Sequence, residues 1–187
     1  MNKKTILRET NNFMRKNVPK SRITKQGSDK HYLKHVLGAR KYGLHLAKNC
    51  DGDKFVIEMA ALLHDIGADA GEDHENKSTE LSIKFLSRYD IPDEIKMRIL
   101  NCIKRHGFGS KAKSIEEQII QDADGIIFVK DTFKFFFEKR LQKMSIEEAK
   151  KATIEKINVM KNKIRTKKAV RIANPFFTNS IKYIKSV

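Results

Sequence analysis

The stretch AALLHDIGAD, residues 60–69, joins an apolar run to a histidine and an aspartate, two side chains that often hold metal ions. The apolar run predicts a buried helix, so His64 and Asp65 are expected at its inner end. A buried carboxylate without a partner is unfavourable, and a metal ion or another cation would provide that partner. The alternative is a histidine that hydrogen-bonds in the core beside an ordinary aspartate at the end of a helix.

Two further residues lie on predicted helices at positions that face inward. His35, in KHYLKHVLGARKYG, shares a helix face with small residues at four-residue spacing, although lysines flank it. Asp124, in IIQDADGIIFVKD, lies on an apolar stripe and needs a partner there, whereas Asp122 points elsewhere and is expected in solvent. With His64 and Asp65, these residues supply two imidazoles and two carboxylates from three helices. Such a set suits Zn²⁺, Mn²⁺, Fe²⁺ or Co²⁺ with open positions for water.

The order of these residues, H…HD…D on helices, resembles the HD-domain superfamily of metal-dependent phosphohydrolases. The similarity runs from about residue 28 to 130, and more faintly to 187. Four segments carry it: DKHYLKHV, VIEMAALLHDIG, HENKSTELSIKFLSRYDIPDEIKMRILNCIKRH and IIQDADGI. The third is similar to the small stand-alone hydrolase branch of the family. The resemblance implies an all-α, single-domain helical bundle of the HD-domain type, with metal ligands at His35, His64, Asp65 and Asp124.

The same resemblance implies roles for residues between these motifs. In family members with two metal ions the signature aspartate bridges them, so Asp65, His74 and His106 are candidates for a second site. With a single ion, His74, His106 and Lys77 would instead contact the substrate phosphate or transfer protons. Asp65 would then also orient the attacking water.

One departure from the family pattern concerns the residue after the last ligand. The family usually has a basic residue after the position of Asp124, where this chain has Gly125. A group that contacts the substrate or supports the ligands is therefore missing, and the resemblance leaves the substrate open. Arg40 and Arg105 are expected near the cleft on family grounds only.

The activity that the resemblance implies is hydrolysis at phosphorus of a nucleotide or another small phosphate ester. One or two divalent ions per chain (Mn, Fe, Zn, Co or Mg) would activate water, and Arg or Lys would neutralise the developing charge. The alternative function is a nucleic-acid-binding or regulatory module in which the metal is structural. No RNA-reading aromatic motif favours that alternative. Oxygenase chemistry at a di-iron site is a third alternative.

Helical periodicity recurs along the chain, and alternation typical of strands is nearly absent. We predict a basic N-terminal arm or helix over residues 1–27, the HD core over 28–143, and basic C-terminal helices packed on that core over 144–187. The signature helix is predicted over 54–66, with Asp53 as its N-cap and Gly67 at its C-cap. Ser78 is predicted to cap the next helix, which runs to about Tyr89, and a short helix over 176–185 is predicted to close the chain.

The bulk composition narrows the class of protein. The formal net charge of +16 is concentrated in residues 1–30 and 138–187, while 31–137 is nearly neutral. Basic flanks attract phosphate-bearing ligands or nucleic acid, or they are a solvated, lysine-rich surface. The sequence lacks a transmembrane-length apolar run and the apolar segment of a signal peptide, so we expect a cytoplasmic protein without a membrane partner. The two cysteines show no CxxC spacing, and either a monomer or a homodimer fits.

Overall fold

The computed structural model describes residues 2–22 and 31–187, and within these ranges every regular element is a helix. The prediction of an all-α protein is therefore confirmed. The α-helices are α1 (Lys3–Lys16), α2 (Leu37–Leu46), α3 (Lys54–Leu63), α4 (His74–Leu86), α5 (Asp93–Lys104), α6 (Ile115–Ile127), α7 (Phe133–Leu141), α8 (Ile146–Lys163) and α9 (Lys167–Ser186). Two π-helical turns, His31–Val36 and Phe128–Thr132, precede α2 and join α6 to α7.

Helix α3 forms the centre of the bundle. The carboxylate of Asp53 accepts hydrogen bonds from the backbone N–H groups of Phe55 and Val56, as the N-cap prediction requires. Nearly every later side chain of α3 is apolar and buried, because α1, α2, α5 and α6 pack around it. A helix that is apolar all round is stable only when it is enclosed in this way. The signature helix therefore ends inside the molecule.

The N-terminal segment contributes a helix to this core. Ile6, Thr10 and Met14 of α1 are buried, and α1 packs against α3. The last part of the predicted arm, residues 23–27, lies outside the described residues. The division of the chain at residues 27 and 143 stays a prediction.

The turn after α3 differs from the prediction in two respects. Helix α3 ends at Leu63, and Gly67 has φ −95°, so it does not form a left-handed C-cap. A Cβ on Gly67 would lie only 2.4 Å from the backbone nitrogen of Ser78, so this glycine allows α4 to approach closely. Ser78 is also not a cap, because α4 begins at His74 and the buried Ser78 hydroxyl accepts from the Gly67 N–H at 2.9 Å.

The C-terminal helices pack on α6 and α7, and α9 is much longer than the predicted short helix. The prediction of a solvated Asp122 is wrong, because its side chain is fully buried. Its carboxylate accepts from the backbone N–H of Arg165 at 2.8 Å, and from the backbone N–H and hydroxyl of Thr166 at 3.2 and 2.5 Å. Asp122 thereby fixes the turn between α8 and α9. No helix within the described ranges combines the length and apolarity that crossing a bilayer requires.

Candidate metal centre

The structure brings the four predicted ligands together at the inner end of α3. His35 lies on the π-helical turn before α2, His64 and Asp65 follow α3, and Asp124 lies on α6. The Nε2 atom of His35 is 3.2 Å from Nε2 of His64 and 3.2 Å from Oδ1 of Asp124. It is also 3.5 Å from Oδ2 of Asp65, and all four side chains are buried. The ligand atoms of His35, His64 and Asp124 all lie within 4.8 Å of one another, a spacing that one ion would span.

A second cluster adjoins the first through Asp65. The Nε2 atoms of His74 and His106 are 3.2 Å apart, and they lie 4.0 and 3.7 Å from Oδ1 of Asp65. The two oxygens of this carboxylate therefore face different clusters, Oδ2 toward His35 and Oδ1 toward the other pair. If each cluster held an ion, Asp65 would contribute one oxygen to each.

Three of the four histidines are oriented by main-chain carbonyl groups. Their Nδ1 atoms contact the carbonyl oxygens of Ala61, Gly71 and Ile103, at 2.9 Å for His64, 3.0 Å for His74 and 2.6 Å for His106. A carbonyl oxygen only accepts hydrogen bonds, so each Nδ1 carries the proton. Each Nε2 of the neutral ring then presents its lone pair to the centre.

His35 reaches the same arrangement through a side chain. The Thr132 hydroxyl donates to the carbonyl oxygen of Ile127 at 3.3 Å, so its oxygen accepts from Nδ1 of His35 at 3.0 Å. Thr132 lies on the π-helical turn after α6, and that turn packs against the one that carries His35. Local departures from α-helical geometry often mark functional sites, and here they set the orientation of one ring.

The fit of the donor set to a divalent ion follows from these lone pairs. Burial lowers the pKa of His64 to about 3 and also lowers that of His74, so neither ring is an imidazolium at neutral pH. Two Nε2 lone pairs 3.2 Å apart repel each other unless a cation lies between them. With metal–nitrogen bonds of about 2.0–2.1 Å, ligand nitrogens on a tetrahedral ion are about 3.3 Å apart. Two groups of three residues satisfy the spacing for an ion: His35, His64 and Asp124, and His64, Asp65 and His106.

Asp124 has a second partner that the sequence did not reveal. Burial opposes the charged form of its carboxylate, but the Lys163 ammonium and the nearby histidines hold its pKa well below the usual range. Lys163 is itself buried and pairs directly with Oδ2 of Asp124. A Cβ on Gly125 would lie 2.6 Å from Cγ1 of Ile164, so α8 packs directly on α6 here. Instead of a basic residue at position 125, this chain brings a lysine from α8 to Asp124.

A cavity of about 770 Å³ opens beside the centre. Its lining includes five of the candidate ligands, namely His35, Asp65, His74, His106 and Asp124. It also includes four basic side chains, which we call the basic wall: Arg22, Lys139, Lys156 and Lys163. No member of this wall was predicted from the sequence to lie at the site. The available signal is that Lys163 continues the buried stripe of α8 through Thr153, Ile157 and Met160.

The cations that the sequence did suggest lie elsewhere. Lys77 is exposed and pairs with Glu80 at 2.8 Å, Arg40 pairs with Glu58, and Arg105 pairs with Glu117 at 3.1 Å. None of these three cations is among the residues that line the cavity. The geometry gives no support to a role for Lys77 in phosphate contact.

Comparison with known families agrees with the resemblance seen in the sequence. The family model of the HD domain matches residues 32–127, which is more than half of the chain. The chain belongs to the HD domain family. All six candidate ligands lie inside the matched region, whereas all four residues of the basic wall lie outside it. Curated protein sequences give no match.

Solved structures show that the similarity in fold extends over the whole chain. Lin1889 from Listeria innocua is 23% identical, with a TM-score of 0.71, covering 100% of this chain and 95% of its own. An HD-superfamily hydrolase from Bacillus thuringiensis is 22% identical, with a TM-score of 0.73 and coverages of 99% and 96%. YpgQ from Bacillus subtilis, in complex with ADP, is 19% identical, with a TM-score of 0.70 and coverages of 96% and 94%.

Proposed function

We propose that this member of the HD domain family is a metal-dependent phosphohydrolase that acts on a nucleotide or another small phosphate ester. The observation that carries the proposal is the convergence of four Nε2 lone pairs and two carboxylates beside an open cavity. Buried carboxylates and neutral imidazoles are the ligands that first-row divalent ions bind. Structural metal sites are closed, whereas five of the candidate ligands here line an open cavity.

His35, His64, Asp65 and Asp124 would hold one ion, and Asp65 with His74 and His106 a second. An ion held there would supply hydroxide near neutral pH and would polarise a phosphoryl oxygen. The carbonyl and hydroxyl oxygens that accept hydrogen bonds from Nδ1 keep the rings in the ligating tautomer. His74 is the most exposed of the candidate ligands, and it lines the cavity. With a single ion bound, His74 Nε2 is therefore placed to accept a proton at the cavity wall.

Two observations support a nucleotide as the substrate. The cavity volume of about 770 Å³ is within the range of sites for small organic ligands, and Phe108, Phe128 and Phe136 are among its lining residues. Phe108 is 57% exposed, so a flat base could stack on it. YpgQ, which shares the fold, has been solved in complex with ADP.

The test is phosphate release by protein stripped with a chelator and then reloaded with Mn²⁺, Co²⁺, Zn²⁺, Fe²⁺ or Mg²⁺. The substrates are p-nitrophenyl phosphate and nucleoside mono-, di- and triphosphates. Asp65→Asn is expected to reduce the bound metal and to lower the rate at least about 100-fold, because it weakens the one ligand shared by both clusters. The matched control is Asp93→Asn, an exposed carboxylate in the first turn of α5. A folded Asp65→Asn variant with the full rate would contradict the proposal.

A further inference from the structure

The basic wall belongs to parts of the chain outside the family match. Arg22 lies in the turn after α1, Lys139 on α7, and Lys156 and Lys163 on α8. The Arg22 turn is linked to the segment after α3, because the Lys20 N–H donates to Oδ2 of Asp69, another lining residue, at 2.9 Å. Charges of one sign are thus gathered around one cavity from three separate elements.

Helix α8 presents one face to the cavity. Lys156, Met160 and Lys163 all line it, and their spacings of four and three residues place them in one row along the helix. The row ends at Asp124, where Lys163 pairs with the carboxylate. Lys156 therefore lies about two turns farther from the metal centre along the same wall.

Two cations of the wall, Lys156 and Arg22, are not hydrogen-bonded to any carboxylate in the described ranges. Lys156 forms no hydrogen bond or ion pair with any residue in the described ranges. Arg22 Nε is buried and has no hydrogen-bond partner there, and it is 3.9 Å from Oδ2 of Asp65. The Arg22 guanidinium lies 4.8 Å from the centre of the Phe136 ring, and this contact restricts its orientation.

The four carboxylates in the lining formally balance the four cations of the basic wall, and bound divalent ions would shift this balance toward positive charge. Burial lowers the pKa of Lys156, and the charges of Lys163, Arg140 and Arg22 lower it further against the opposite effect of Asp124. The carboxylates in the lining are Asp65, Asp69, Glu72 and Asp124. In the proposed function Asp65 and Asp124 would hold divalent ions, whose positive charge would add to that of Arg22 and Lys163. An oxyanion in the cavity would relieve the excess positive charge.

We propose that Arg22, Lys156 and Lys163 form a phosphate-binding subsite beside the metal centre. The role of this subsite in substrate binding rests on the proposed function. The subsite adds to that function the residues that contact phosphoryl oxygens. The guanidinium contributes directional N–H donors, and the two ammonium groups contribute charge along the α8 side. These residues lie outside the family match, so the family model does not assign them a role.

The experiment measures the Kd of inorganic phosphate by calorimetry, on protein loaded with Mn²⁺ and on protein freed of metal. Lys156→Met and Arg22→Met are each expected to raise the Kd about tenfold, because each removes one charged contact to the anion. The manganese content should stay at the wild-type level in both variants. Lys151→Met is the matched control, since Lys151 is an exposed lysine on α8 that does not line the cavity.

The outcomes separate this inference from the proposed function. A double Arg22→Met/Lys156→Met variant that binds phosphate with the wild-type Kd overturns the subsite, and so does wild-type protein that binds no phosphate in either state. Normal manganese uptake in those cases leaves the metal-dependent function standing. If the protein takes up no manganese but binds phosphate in a Lys156-dependent manner, the subsite stands and the proposed function fails.

Discussion

At the scale of single residues, the histidines of the centre differ in how their rings are held. Main-chain carbonyl groups accept the Nδ1 protons of His64, His74 and His106, and no substitution of those partners removes a carbonyl. His35 depends on the hydroxyl of Thr132. The orientation of this one ring can therefore be tested by a change that leaves all the ligands in place.

Thr132→Val is expected to weaken metal binding by about 10- to 100-fold, because it removes the acceptor that holds His35 in the ligating tautomer and keeps the volume nearly unchanged. The measurement is competition for Zn²⁺ or Co²⁺ with a chromophoric chelator. Thr132→Ser retains the hydroxyl and should bind metal within about threefold of the wild type. Equal affinities for the valine and serine variants would show that the hydrogen bond has no effect on the ligand.

The local sequence was enough to predict a residue's place beside the centre where its burial depends on its own segment. Asp124 was identified because a carboxylate lies on an apolar stripe, and His64 because an apolar run leads into it. Arg22 and Lys156 were missed because their environment depends on how the turn after α1 and α8 pack around the cavity, which no local spacing encodes. Lys77 was chosen for its place near a motif, but its side chain points to Glu80.

At the scale of helices, the packing of α8 on α6 decides which cation reaches Asp124. The close approach at Gly125 places Ile164 against α6, and Lys163 precedes Ile164 in the chain. The sequence predicted a helix near this position, but it could not predict this contact. Asp122 was misjudged for the same reason, since its partners belong to the distant turn between α8 and α9.

Gly125→Ala is expected to lower the free energy of unfolding by about 1–3 kcal/mol, because the added Cβ would lie 2.6 Å from Cγ1 of Ile164 and 3.0 Å from the Met160 carbonyl oxygen. Urea denaturation measures this cost. Truncating Ile164 to Ala creates room, so the double variant should lose less stability than the sum of the two single variants. Strictly additive losses would mean that the two residues do not contact each other.

At the scale of the whole molecule, the buried neutral histidines link folding to pH. His64 has a pKa of about 3 in the folded protein and about 6.5 in the unfolded chain. Between these values the unfolded chain binds a proton that the folded protein does not, so the free energy of unfolding falls as the pH falls below about 6.5. The lowered pKa of His74 acts in the same direction. Asp124 adds to the loss only below its unfolded pKa of about 3.8, where its stabilising charge is titrated.

For metal-free protein, a decrease in pH from 7.5 to 5 is therefore expected to lower the free energy of unfolding by an amount on the order of 2 kcal/mol from His64 alone. Urea denaturation at pH 7.5, 6 and 5 measures how the free energy of unfolding depends on pH. His64→Gln should flatten this pH dependence more than His45→Gln. Desolvation and the charges of Lys168 and Lys48 also lower the pKa of His45, but its side chain is exposed and solvent screens that effect. Divalent ions bind the Nε2 atoms that protons would otherwise occupy, so they should stabilise the protein at pH 7.5 and lose that effect progressively toward pH 5. A stability independent of pH over this range would mean that His64 is not held neutral in the folded protein.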